Sequence, residues 1–122
     1  MNIRSLTPLV FVTSVPASIE FYAKLGFELG NTFAAKGAEE PTWAWLQSGD
    51  GASMMVGKAD HAVDAAKQGI LFYLYVDDVA AKHAELAAAG VDVSEIRTEF
   101  YAPRGEFRVV DPDGYTLMIT HT

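Results

Sequence analysis

The chain has no cysteine in its 122 residues, and this absence removes several kinds of chemistry. Without thiols there is no disulfide framework, no zinc site built on thiolates and no cysteine nucleophile. Histidine is scarce too, and His61, His83 and His121 fall on separate predicted elements. His83 could act as a general base and His121 could reach a binding cleft, but we favour a partly buried histidine without a chemical role for His83.

Positive charge is also in short supply. Nine Lys and Arg residues stand against sixteen Asp and Glu, which gives a net charge of −7. Nucleic-acid binding requires a basic surface, so we expect no nucleic-acid partner. The acidic balance favours solubility first, and it would also attract a cationic ligand. The sequence has no apolar run that could span a bilayer and no signal peptide, so we expect a soluble, cytoplasmic protein with no membrane partner.

What the sequence does contain is an internal repeat. Residues 7–26 and 71–90 both read as an apolar run, a polar corner and an amphipathic helix closed by glycine. A shift of 64 positions places Val12 on Val76 and Gly26 on Gly90. The segments 50–56 and 113–119, each an Asp-Gly pair followed by an apolar run, match at nearly the same spacing. The chain is therefore two copies of one structural unit.

Each copy predicts the element order β-α-β-β-β. In the first copy, strands are predicted at 6–12, 27–33, 43–47 and 52–56, with a helix between Ser14 as N-cap and Gly26 as C-terminal cap. In the second copy, strands are predicted at 70–76, 91–97, 106–110 and 115–120, with a helix from Asp77 or Asp78 to Gly90. Tight turns are predicted at 48–51 and 111–114, loops at 34–42 and 98–105, and a short helix within 60–67.

Units of about 55 residues are too small to bury separate cores. We therefore predict an α+β fold with a single domain over residues 1–122, made of two βαβββ modules in tandem. The modules lie at about 1–57 and 69–122, are joined by 58–68, and form a curved mixed sheet with the helices on its convex face. The concave face would then be filled by a ligand, by a second chain or by both.

Three groups of residues resemble the vicinal oxygen chelate superfamily of glyoxalases, bleomycin-resistance proteins and extradiol dioxygenases. They are 18–22 with 25–27, then 76–79, then 111–115, in this order and inside the repeat. The resemblance covers essentially the whole chain and implies the glyoxalase/bleomycin-resistance-like fold of paired βαβββ modules. Short members look like homodimers with clefts where the modules of both chains meet, which implies a second copy of this chain as partner.

The same resemblance implies where a metal would bind. Metal-dependent members place four His, Gln or Glu ligands at equivalent points of the repeat, and those positions here are Thr7, Met55, Leu71 and Met118. A thioether, an alkyl group and a lone hydroxyl are poor ligands for catalytic Mg, Mn, Fe, Ni or Zn ions. The pattern is therefore closest to metal-free members of the bleomycin-resistance type, and we expect no metal, no other cofactor and no catalytic residue.

Strand alternation predicts which side chains face the concave side. Residues in step with the four ligand positions predict a pocket lined by Phe11, Met55, Tyr73, Tyr75, Phe107 and Met118. Trp43 and Trp45 are further candidate ligand-binding residues that share one face. The repeat alignment places that face opposite the pocket, but a one-residue change in hairpin length would reverse this, so the face stays open. Phe33, Phe100 and Tyr101 could form a lid, and Glu39, Glu40, Glu99 and Glu106 could form an acidic rim or be simply solvated. The pocket residues could instead pack against one another or against the second chain.

The preferred hypothesis is a small-molecule binding protein that sequesters an aromatic compound, with a cationic antibiotic as one candidate, in a homodimer cleft without metal. The alternative is an enzyme: a glyoxalase-like lyase or isomerase, or a dioxygenase, with non-standard metal ligands or a metal-free acid–base pair. A third hypothesis is a module that serves only as an interaction domain, with its concave face filled by side chains.

Overall fold

The structure is a computed structural model that describes residues 1–49 and 51–122; Asp50, part of the predicted 48–51 turn, lies outside the described residues. The chain divides into two compact units, Met1–Val63 and Asp64–Thr122. Each unit holds a four-stranded mixed sheet and one α-helix, in the same order along the chain. The predicted α+β fold of tandem βαβββ modules is confirmed.

The first unit contains β1 (Leu9–Val12), α1 (Val15–Leu25), β2 (Glu28–Phe33), β3 (Trp43–Ser48) and β4 (Ala52–Lys58). The strand order is β1-β4-β3-β2, with β1 parallel to β4 and the other pairs antiparallel. The Ser14 hydroxyl accepts a hydrogen bond from the Ala17 N–H (3.2 Å), and Gly26 ends α1 with a φ of 106°. Both predicted caps of this helix are therefore present.

The second unit contains β5 (Leu71–Tyr75), α2 (Val79–Ala88), β6 (Arg97–Glu99), β7 (Ala102–Val110) and β8 (Thr116–Thr120). Its strand order, β5-β8-β7-β6, repeats that of the first unit, and β5 is parallel to β8. The Asp78 carboxylate caps α2 by accepting from the Ala81 N–H (2.9 Å). Only Ala65–Lys67 of the predicted 60–67 helix is helical, as a short 3-10 turn. None of the helices in the described residues is long and apolar enough to cross a membrane.

The second predicted strand of the second unit differs from expectation. The segment 91–97 makes one isolated bridge, between Val93 and Val109, and the strand begins only at Arg97. The predicted 98–105 loop instead holds the end of β6 and the start of β7. Ser94 explains the delay, because its hydroxyl accepts from the Arg108 N–H (2.7 Å) and takes a place that a backbone carbonyl would hold in a ladder.

Each sheet buries one face under its own helix. In the first unit, α1 packs on β2, β3 and β4, and Tyr22 is fully buried with its ring edge against Phe27 (5.8 Å between centroids). In the second unit, α2 packs on β7, with Leu86 fully buried. The opposite side of each sheet has no helix of its own unit and is called the helix-free face below. The buried strand residues under the helices are Val10, Val12, Ala44, Leu46, Met54, Val56, Phe107, Val109, Leu117 and Ile119.

The prediction that Phe107 faces the pocket is wrong. In the β7–β8 hairpin Val110 pairs with Thr116 and Arg108 with Met118, so Arg108, rather than Phe107, shares the face of Met118. The predicted turn had four residues, whereas the observed one has five and includes Tyr115. The Asp111 carboxylate accepts from the N–H groups of both Asp113 (2.9 Å) and Tyr115 (2.8 Å), which keeps Tyr115 in the turn. One extra residue reverses every side chain of β7 relative to β8.

Candidate functional site

The helix-free face of the first unit is aromatic. Strand pairing aligns Leu9 with Met55 and Met55 with Trp45, while Phe11 and Trp43 both align with Gly57. Both tryptophans therefore lie on the face of Phe11 and Met55, not on the face that the repeat alignment indicated. The hairpin explains the difference, because Ser48 pairs directly with Ala52.

A glycine lies between two aromatic side chains on this face. Gly57 on β4 has Phe11 beside it on one neighbouring strand and Trp43 on the other. A β-carbon at Gly57 would lie 3.8 Å from the Phe11 ring and 3.4 Å from Leu9, so these side chains lean over the bare backbone. Phe33, 61% exposed, pairs with Trp43 and continues the row. The row offers a broad aromatic surface on which a flat ring can stack.

The helix-free face of the second unit carries a pair of tyrosines. The rings of Tyr73 and Tyr75 stack with centroids 6.4 Å apart and an angle of 25° between their planes. They are 46% and 60% exposed, and Met118 pairs with Tyr73 across the parallel strands. Of the predicted pocket residues, this unit therefore brings together Tyr73, Tyr75 and Met118. Phe107 lies on the helix side of the same sheet.

Beside Met118 the same unit has a cleft of about 370 Å³ with mixed charge. Sequence reasoning missed its two arginines, Arg97 and Arg108. For Arg108, the reason is that the assumed four-residue turn placed position 108 on the helix side. Phe107 also borders the cleft, but it is 2% exposed and its ring packs edge-on against His83 at 4.9 Å. The residues around the cleft are Ser94, Glu95, Arg97, Glu99, Glu106, Phe107, Arg108 and Met118.

Glu106 is the most buried charged side chain of this cleft. It is 6% exposed, although the sequence suggested a rim position. The Tyr101 hydroxyl donates to Glu106 Oε1 (2.8 Å), whereas Oε2 is closed to solvent and has no hydrogen-bond partner among the described residues. Tyr101, predicted as part of a lid, therefore lies against Glu106. Phe100 is 96% exposed and touches the Tyr101 ring edge-on at 5.2 Å.

We expect the Tyr101–Glu106 contact to be visible in an alkaline titration. The hydrogen bond to Glu106, with desolvation and the charges of Glu106 and Glu99, raises the pKa of Tyr101 to about 12. Because this pKa lies above its unfolded value, the contact stabilises the fold fully below pH about 10 and loses that effect as pH rises towards 12. Glu106→Gln should move the pKa of Tyr101 back towards 10, measured as the tyrosinate absorbance that Tyr101→Phe removes. An unchanged titration would contradict the contact.

The residues at the four positions implied for a metal are not suitable ligands for a metal ion. The Thr7 hydroxyl lies 3.3 Å from the Ser53 hydroxyl, Met55 lies beside Leu9, and in the other unit Leu71 and Met118 carry no oxygen or nitrogen donor. A hydroxyl, two thioethers and an alkyl group are not a ligand set for a hard or borderline cation. Among residues 1–49 and 51–122, no three His, Cys, Asp or Glu side chains are grouped as metal ligands.

The histidines make structural contacts. His83 Nε2 lies 2.9 Å from the Ser94 carbonyl and can donate to it, which joins α2 to the segment before β6. His121 is 7% exposed, and its Nε2 accepts from the Arg104 N–H (2.9 Å), so that nitrogen carries no proton. His61 is exposed beside Asp60, and their hydrogen bond lowers the pKa of the Asp60 carboxyl.

The family model described as "Glyoxalase/Bleomycin resistance protein/Dioxygenase superfamily" matches residues 4–119. No sequence among curated proteins matches the chain. A bleomycin resistance determinant encoded on the transposon Tn5 is a similar solved structure, with 20% identity, 98% coverage of both chains and a TM-score of 0.79. At 20% identity, this likeness shows the fold alone.

Two further solved structures are similar over nearly their whole length. The bleomycin-binding protein from bleomycin-producing Streptomyces verticillus, complexed with copper(II)-bleomycin, has 22% identity, covers 100% of this chain and 98% of its own, and has a TM-score of 0.74. An antibiotic binding protein from Streptomyces sp. CB03234 has 21% identity, covers 99% of this chain and 98% of its own, and also has a TM-score of 0.74.

Proposed function

Because this chain belongs to the glyoxalase/bleomycin resistance protein/dioxygenase superfamily, we propose that it binds and sequesters an aromatic small molecule, of the antibiotic type, without a metal. The binding surface is the helix-free face, and a second copy of the chain completes the cleft. The similar structures suggest bleomycin as a first probe, since the Streptomyces verticillus protein is complexed with copper(II)-bleomycin.

The observation that carries this proposal is the exposure of large aromatic side chains on the helix-free faces. Phe11, Tyr73 and Tyr75 are 55%, 46% and 60% exposed, while the helix sides of the same sheets are closed. Burying apolar surface is favourable by roughly 25 cal/mol per Å², so these strands leave free energy available for binding. Aromatic rings with polar edges, such as the tyrosines, can both stack on a flat ligand and hydrogen-bond its rim.

The charge of the chain supports a ligand that is neutral or positive rather than anionic. The net charge is −7, and such a field attracts cations and repels anions over distances of about a Debye length. The unsuitable donor set at Thr7, Met55, Leu71 and Met118 supports binding without a metal. Binding rather than turnover is therefore the function that these residue types fit best.

The chain contains its own reporter for this test. Both of its tryptophans, Trp43 and Trp45, lie on the helix-free face beside Phe11. Titration with metal-free bleomycin should change their fluorescence in a saturable way, and Phe11→Ala should weaken the affinity by about tenfold, the loss of one stacked aromatic. The matched control is Leu29→Ala, which removes a side chain of similar exposure (50%) that pairs with the helix-side residue Leu46 and should leave the affinity unchanged.

Two results would contradict the proposal. Fluorescence that stays flat with bleomycin and with a panel of planar aromatic cations would remove the binding function. Equal losses in Phe11→Ala and Leu29→Ala would place the ligand elsewhere. Sedimentation of the same samples should give the mass of two chains, and a monomer that binds with full affinity would remove the second chain from the site.

A further inference from the structure

We propose that Glu106 is the polar anchor of the ligand: its Oε2 accepts a hydrogen bond from a protonated nitrogen, an amidinium or ammonium group, once the Tyr101 side chain swings aside. This inference rests on the proposed function and names the ligand chemistry that the cleft in the second unit would select.

The first observation is an incomplete set of hydrogen bonds on a buried carboxylate. Glu106 is 6% exposed, and Oε1 accepts one hydrogen bond, from Tyr101, at 2.8 Å. Oε2 is closed to solvent and has no donor among the described residues. A carboxylate offers about four acceptor sites, and burying one without donors is costly unless something supplies them. Since Glu106 lines the cleft, a bound molecule can supply the missing donor.

The second observation is that the neighbouring cations do not neutralise Glu106. Arg97 pairs with Glu106 across β6 and β7, and Arg108 lies two residues further along the same face. Neither forms an ion pair with Glu106 within the described part of the chain. Glu95 and Glu99 add two more carboxylates to the same cleft. Three carboxylates against two guanidinium groups leave a negative balance, which favours a cationic donor over a neutral or anionic one.

The third observation concerns the loop of Phe100 and Tyr101, called the cover below because Tyr101 lies against Glu106. Phe100 and Tyr101 form the two-residue loop between Glu99 and Ala102, which pair across the hairpin. Two-residue hairpin loops favour turn types with positive φ angles. Neither Phe100 nor Tyr101 has a positive φ, so this turn is not of a favoured type. Phe100 is 96% exposed and Tyr101 is 55% exposed, so little packing holds this loop in place. Rotation of Tyr101 would free Oε1 and open a path to Oε2.

The test uses three small probes of one shape on the full chain: benzamidine, its neutral analogue benzamide, and benzoate. Amide-resolved NMR titration measures each dissociation constant. Benzamidine should bind the unmodified chain, benzamide more weakly, and benzoate not at all. Glu106→Gln, which keeps the size of the side chain, should weaken benzamidine binding by about tenfold or more, the loss of a charge-assisted hydrogen bond.

The direction in which a second variant changes the benzamidine affinity separates a direct contact with Glu106 from attraction by the overall negative charge. Tyr101→Phe removes the donor to Oε1 and loosens the cover, so it should strengthen benzamidine binding by a few-fold. Asp92→Asn, at an exposed carboxylate of the same unit outside the cleft, should change the affinity less than about twofold because solvent screens its charge. A purely structural role for Glu106 would weaken binding in both Glu106→Gln and Tyr101→Phe.

The proposal is overturned if folded Glu106→Gln binds benzamidine as the unmodified chain does, if Asp92→Asn weakens binding equally, or if benzamidine does not bind. Should Glu106→Gln fail to fold, unchanged affinity in Tyr101→Phe overturns the proposal and stronger binding supports it. A saturable tryptophan response to bleomycin that survives Glu106→Gln would refute the anchor alone, whereas a flat response in the unmodified chain refutes the proposed function.

Discussion

Phe107→Ala is expected to lower the free energy of unfolding by about 3–5 kcal/mol, the range for removing a buried phenylalanine side chain. Phe107 is 2% exposed on β7, and its ring packs edge-on against His83 of α2. Truncation would leave a cavity between helix and sheet that the fixed backbone of β7 cannot close. Denaturant-induced unfolding at one fixed protein concentration measures the loss, because a dimer would make stability depend on concentration.

The control for this prediction is Phe100→Ala, which removes the same atoms from a loop residue that is 96% exposed. Its effect should stay within about 0.5 kcal/mol, as for other exposed sites. Phe107 borders the cleft, but its ring is buried against His83, so the ligand affinity of folded Phe107→Ala should remain close to that of the unmodified chain. A small loss of stability with a large loss of affinity would mean that the Phe107 side chain does contact the ligand, as a four-residue turn at 111–114 would predict.

Gly114→Ala is expected to destabilise the second unit by about 2–5 kcal/mol, the sum of a backbone cost of about 1–2 kcal/mol and a steric cost of about 1–3 kcal/mol. Gly114 has a φ of 86°, in the left-handed region where a side chain costs about 1–2 kcal/mol. In addition, a β-carbon there would lie 2.5 Å from the Cα and Cβ atoms of Ala65, so backbone must move to make room. Denaturant-induced unfolding, followed by circular dichroism, gives the difference in free energy.

Two other glycines separate the causes of this loss. Gly37 has a φ of 88°, and a β-carbon added there would meet nothing within 4 Å, so Gly37→Ala carries the backbone cost of about 1–2 kcal/mol alone. Gly69 has open space and no positive φ, so Gly69→Ala should be neutral or stabilising by up to about 1 kcal/mol. Equal losses in Gly114→Ala and Gly37→Ala would show that the contact with Ala65 has no energetic consequence.

The chemistry of the two helix-free faces differs, which bears on what each would recognise. The first unit presents Phe11, Trp43 and Trp45 beside Met55, a surface with little hydrogen-bonding capacity. The second presents two tyrosines and, near Met118, a charged cleft with a buried carboxylate. A flat apolar group suits the first surface, and a cationic group suits the second. This division gives a reason to measure tryptophan fluorescence and benzamidine binding as separate experiments.

Local signals were sufficient for the order of elements. Ser14 and Gly26 cap α1 as predicted, and Asp78, one of the two predicted candidates, caps α2, because capping depends only on a few neighbouring residues. The repeat predicted the same element order in both units, since two copies of one pattern fold in the same way. The delayed start of β6 was missed because a hydrogen bond from the Arg108 N–H to the Ser94 hydroxyl, 14 residues apart in sequence, competes with the ladder.

Strand faces were harder to predict, because they depend on the exact number of residues in a turn. The four-residue motif 111–114 was visible in the sequence, but the fifth turn residue, Tyr115, is held by the side chain of Asp111. That single residue moved Phe107 to the helix side and brought Arg108 to the face of Met118. The same sensitivity left the face of Trp43 and Trp45 undecided from the sequence, and the pairing of Ser48 with Ala52 decided it.

The sequence by itself determined the family pattern, the tandem modules, the helix caps and the unsuitability of Thr7, Met55, Leu71 and Met118 as metal ligands, because each of these follows from residue type and short spacing. Only the tertiary structure decided which aromatic side chains share a face and that Glu106 is buried with one oxygen unsatisfied among the described residues. Burial and hydrogen bonding are set by residues that are distant along the chain, and strand register converts a one-residue difference in a turn into opposite sides of a sheet.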